Sequence, residues 1–247
     1  MSHLSDRRAA AISGLIFVGL DAAALFLPGA PPKASDSARH IAATLATHRW
    51  QVLVGMYLAG LALIALLLFL GAVRTWLARA GADEGVRTAA FGGAIVGITA
   101  QLVGMLLFYG AAFKVAGQHQ DALVRGLTDA GNASVEIGKF GFAAFIAGVC
   151  LASRGVVGAG RPALLGRWLY GAGLGSAVVL VVSAMPLFSE GQFTQFGGGL
   201  DLVGSVPGIV WIALLSVLLS RPAGRGGSVG LSTLSRSHSG LLEGEKA

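Results

Sequence analysis

Six stretches of this chain are continuously apolar over lengths that match a lipid bilayer, and no other feature constrains the fold as tightly. They cover residues 9–28, 50–73, 88–113, 137–153, 168–188 and 200–220. A hydrocarbon core of about 30 Å is crossed by a helix of about 20 predominantly apolar residues. None of the stretches alternates apolar with polar residues, so barrel strands are not indicated. The sequence therefore predicts an all-α, polytopic membrane protein: a bundle of six transmembrane helices with short loops, formed by residues 1–220. Residues 221–247 are rich in Gly and Ser and read as a disordered cytoplasmic tail.

Composition agrees with that reading. Charged residues are 12% of the chain and hydrophobic ones 54%, whereas a soluble domain carries about 25% charged residues. The formal charge of +6 does not indicate nucleic acid, because the basic residues are scattered between apolar runs and form no patch. The single cysteine, Cys150, lies within the fourth run. It allows no intramolecular disulfide and reads as a small buried hydrophobe.

Arginine and lysine placement predicts orientation. Arg7, Arg8, Arg74, Arg79, Arg87, Arg154, Arg161, Arg167, Arg221, Arg225, Arg236 and Lys246 fall on the side of the N-terminus. Lys33, Arg39, Arg49, Lys114, Arg125 and Lys139 fall on the other. The excess places both termini in the cytoplasm. Abundant Arg, Ala and Gly suggest a bacterial chain, hence a plasma (inner) membrane protein. The first run is longer than a signal-peptide core and is interrupted by Asp21, so it is expected to remain as a span.

Polar groups inside such runs are where function is sought first, since each costs about 3 kcal/mol at the bilayer centre on insertion scales. Asp21 shares a helical stripe with Gly14, Phe17, Val18 and Leu25. Gln101 lies near the middle of the third run, and Lys114 and Lys139 near the outer ends of the third and fourth. These four form the candidate intramembrane polar site: Asp21 would hold a proton or cation with Gln101 beside it and a lysine as counter-charge, or would form a structural tie. The fourth run is the shortest, and Glu136 and Lys139 are expected in its outer turn, with the lysine reaching back to the headgroups.

Other features carry less. Six Gly-xxx-Gly pairs occur, Gly93/Gly97, Gly171/Gly175 and Gly204/Gly208 within runs. Random placement of 38 glycines gives roughly the same number, so the motif identifies no dimer face. Pro207 is expected to kink the sixth span, and Pro186 lies near the end of the fifth. Ser35 or Asp36 is a plausible cap for a short helix before the second span, and 118–130 reads as a helix lying on the bilayer. His40, His48 and His119 are too widely spaced to suggest zinc, and no metal or cofactor is expected. No histidine falls inside a run, and no nucleotide-binding loop or Ser/His pair is visible, so an enzyme is not expected.

The segments AISGLIFVGLDAA in the first run, TDAGNAS before the fourth and RPALLGRWLYGAGL leading into the fifth resemble a family of uncharacterised bacterial, chiefly actinobacterial, six-span integral membrane proteins. The resemblance implies a membrane location and a six-helix bundle, and brings no activity with it. The functional expectation is a non-enzymatic membrane protein acting through membrane packing or partner contacts. Its partners would be the bilayer and a second copy or another membrane protein. The alternatives are a small proton- or cation-coupled carrier using Asp21 and a sensor with an outer-loop binding site.

Overall fold

The computed structural model describes residues 2–29, 32, 35–158, 164–187 and 199–220. Seven α-helices are present among them: α1 (Ser2–Phe26), α2 (Ala38–Thr47), α3 (Arg49–Arg79), α4 (Glu84–Tyr109), α5 (Asp121–Gly158), α6 (Arg167–Ser183) and α7 (Gly199–Ser220). A π-helical turn, Gly110–Val115, prolongs α4, and a 3-10 turn, Met185–Leu187, follows α6. The described residues contain no strand.

Among the described residues four helices are long and apolar enough to cross a membrane: Arg8–Phe26, Arg49–Arg79, Glu84–Val115 and Asp121–Arg154. The fifth and sixth expected spans correspond to α6 and α7. Of these, α6 has only 17 residues, about 25 Å of helix. The tail at 221–247 lies outside the described residues.

The six longer helices close into a ring. α1 packs on α3, α3 on α4, α4 on α5, α5 on α6, α6 on α7, and α7 returns to α1. Large side chains fill the interior, with Phe69 from α3, Phe145 from α5 and Trp211 and Leu215 from α7 all in one buried cluster. Trp211 meets Phe145 edge to face at 6.4 Å, and its indole N–H donates to the Leu169 carbonyl at 3.1 Å. A buried indole needs such an acceptor, and Trp211 of α7 thereby packs between α5 and α6.

Glycine decides how closely α4 and α5 approach. A Cβ added at Gly141 would stand 2.5 Å from the Gly93 carbonyl oxygen and 2.5 Å from the Gly97 nitrogen. Gly104 faces Gly131, and Gly138 faces Gly97. Two backbones touch along this seam, which larger residues would hold apart. The Gly93/Gly97 pair therefore belongs to an interface within the chain. Gly171 and Gly175 face nothing within 4 Å.

The helix expected at 118–130 does not lie apart on the bilayer. It is the first part of α5, which starts at Asp121 and continues to Gly158. Val124 and Thr128 are its buried residues there; Val124 joins Ile41, Leu45 and Ala111 in one cluster at the end of the bundle, beside α2 and the π-helical turn. The α2 helix is capped by Ser37, whose hydroxyl accepts from the His40 N–H at 3.2 Å. The cap is thus one or two residues beyond the positions expected. Pro207 sits inside a continuous α7, and its carbonyl accepts a hydrogen bond from the Ser176 hydroxyl at 3.2 Å.

Candidate functional site

Lys139 and Glu136 do not occupy an outer turn. They lie near the middle of the 38-residue α5, at 3% and 1% side-chain exposure, with Lys139 Nζ 2.6 Å from Glu136 Oε1. Headgroup snorkelling is excluded by that burial. The physical reason is helix length: with α5 extended back to Asp121, both charges move from the expected end of a span to its interior. A Glu three residues before a Lys places both on one helix face, and burial then requires the pairing.

The end of α6 supplies the next contact. Pro186 lacks a backbone N–H, so the helical ladder stops just before it. The terminal carbonyls of a helix have no partners within it and carry partial negative charge. One of them, the Ser183 carbonyl, accepts from Lys139 Nζ at 3.4 Å. The Ser183 hydroxyl turns back to the Leu180 carbonyl at 2.9 Å. Gly204 of α7 packs directly on the Ser183 side chain, where any Cβ would collide. One ion pair thus ties the centre of α5 to the point where α6 ends and α7 passes.

The face of α5 that carries Glu136 and Lys139 continues through Ala143, Ile146 and Cys150. Cys150 Sγ lies against Gly173 of α6, and Ile146 against Gly208 of α7. The other face of α5 is the glycine seam with α4. Two covered faces make α5 the most enclosed of the four long helices.

The four residues singled out from sequence are not one cluster. Asp21 is half-buried on α1, a helix that packs on α3 and α7. No hydrogen bond or ion pair joins it to another described residue. Gln101 lies on α4 at the glycine seam, where its Cγ would stand 3.8 Å from a Cβ at Gly138. Lys114 is exposed in the π-helical turn, its Nζ 4.7 Å from the centroid of the Phe113 ring. Lys139 is engaged by Glu136. The carboxylate that pairs with Lys139 was visible as a charged neighbour, but its role was not. The available clue was the fourth run itself: 17 apolar residues span too little, so charges had to enter the helix.

At the α2 end, Arg49 donates from Nη2 to the Phe113 carbonyl at 3.1 Å and stacks on the same ring at 4.7 Å. Tyr109 also stacks on Phe113, with centroids 5.0 Å apart. Arg125 lies 3.5 Å from Asp129 and donates to the Asp36 carbonyl at 3.3 Å. His40 sits 3.9 Å from Asp36. Among the described residues no three His, Cys, Asp or Glu side chains come together as a metal site.

Among the described residues these features define an all-helical protein with four helices of membrane-crossing length and a buried charge pair on α5 that meets the end of α6. Comparisons with protein-family models, curated proteins and solved structures gave no match.

Proposed function

We propose that this chain is a non-enzymatic integral membrane protein of six spans that acts through contacts with lipid and with other membrane proteins. Positive-inside counting supports cytoplasmic termini, and the abundance of Arg, Ala and Gly supports a bacterial plasma membrane. The observation that carries the reading is the enclosure of Glu136 and Lys139. A carrier site has to exchange its charge with water, whereas this pair is buried and braced by the Ser183 carbonyl. The buried Ser13, Ser153 and Ser216 hydroxyls are likewise satisfied inside the protein, each bonded to a carbonyl of its own helix.

A second reading rests on Asp21, a half-buried carboxylate on α1. Intramembrane carboxylates often mark proton or cation paths. The two readings separate in proteoliposomes carrying a pH-sensitive dye. The proposal expects proton and cation leak no greater than in protein-free vesicles. A flux that requires the protein and is abolished by Asp21→Asn would replace it with the carrier reading.

A further inference from the structure

Arg49 and Lys114 converge on one aromatic ring at the α2 end of the bundle. Each cation lies 4.7 Å from the Phe113 centroid, so the two charges are at most twice that distance apart. No carboxylate of the described residues pairs with either. Arg49 spends one donor on the Phe113 carbonyl, while its Nε is buried without a hydrogen-bond partner. Nε is enclosed, but Arg49 Nη1 also makes no hydrogen bond with a described residue, and such a guanidinium edge beside a second cation is a place where an anion is expected.

Local geometry brings the two together. Arg49 is the first residue of α3. The π-helical turn after α4 carries Phe113 and Lys114 back toward it, and such wide turns recur at functional sites. The neighbouring aromatics indicate depth: Trp50 is 74% exposed and Tyr109 40%, as in the belts that mark the headgroup layer. At that level the abundant anion is a phosphodiester.

We propose that Arg49 and Lys114 form a binding site for the phosphate of an anionic phospholipid headgroup, with the exposed Trp50 against its glycerol and upper acyl chains. A zwitterionic headgroup brings its own cation toward two positive charges, so an anionic lipid is favoured. This inference shares the membrane location with the function proposed above but does not depend on the role of the Glu136–Lys139 pair. The flux assay and the lipid assay therefore fail separately.

The test is retention of phosphatidylglycerol by the full chain in a neutral detergent, read by native mass spectrometry. Phosphatidylcholine and inorganic phosphate serve as comparisons. Wild type should retain phosphatidylglycerol in preference to phosphatidylcholine. Arg49→Gln with Lys114→Gln should weaken retention roughly thirtyfold at low salt, from about 1 kcal/mol per basic residue. Should that double variant fail to fold, Lys114→Gln alone, at an exposed position, should still weaken it about fivefold on the same scale. Equal retention by wild type and variants, or no preference between the two lipids, would overturn the proposal. Displacement of the lipid by millimolar inorganic phosphate would overturn it too, by assigning the site to a free anion.

Discussion

Replacing Lys139 with methionine leaves the shape of α5 nearly unchanged and removes the ammonium that lies 2.6 Å from the Glu136 carboxylate, itself at 1% exposure. Removing one partner of a buried ion pair typically costs about 3–5 kcal/mol, because the remaining charge has no compensation. Replacing both partners by apolar residues of similar volume is often neutral or better. Here the double change also deprives the Ser183 carbonyl of its 3.4 Å donor, a loss of about 1 kcal/mol. Lys139→Met and Glu136→Met should therefore each destabilise by several kcal/mol, and the double variant by only about 1 kcal/mol. The resulting coupling is large and its sign is fixed. The assay is reversible unfolding in mixed micelles of dodecyl maltoside and SDS, followed by helical circular dichroism, for all four corners of the cycle. Single variants that lose less than about 1 kcal/mol, or a double variant that loses the sum of the singles, would refute the reasoning.

Other outcomes follow from the packing. Gly141→Ala places a methyl 2.5 Å from two backbone atoms of α4 and should cost about 1–3 kcal/mol by overpacking, seen as a lowered melting temperature. Gly175→Ala meets nothing within 4 Å and should leave stability unchanged or raise it by up to about 1 kcal/mol; equal losses at both glycines would contradict the assignment of the seam. Trp211→Phe removes the donor to the Leu169 carbonyl and should cost at least about 1 kcal/mol in the same melts.

Some of this fold could be read from the sequence and some could not, for reasons that differ by residue. The cores of α1, α3 and α4 were plain because a long apolar run has few alternatives to a helix. The full length of α5 was hidden because Glu136, Lys139 and the polar residues before them end the apolar run. Only the pairing across one helix turn and the carbonyl at the end of α6 make those charges tolerable inside. Gly93 and Gly97 looked like chance, since spacing alone does not say which glycine meets another backbone. Asp21 stood out because it is isolated in its run, yet isolation in sequence says nothing about neighbours in space. α1 packs on α3 and α7, while the lysines considered as its partners belong to α5 and the π-helical turn.

The central claim is that the Glu136–Lys139 junction is sealed, and solvent access at Ser183 tests it most directly. Ser183 is fully buried, and Lys139 contacts its carbonyl, which a Ser183→Cys change retains. In a Cys150→Ala background, a membrane-impermeant maleimide would be applied from each side of oriented vesicles, with His48→Cys at the exposed α2–α3 junction as the reactive control. The account predicts labelling at residue 48 and none at 183 until the protein is unfolded. Labelling at 183 in the folded protein, from either side, would mean that water reaches the pair and that the junction is a working site rather than a tie.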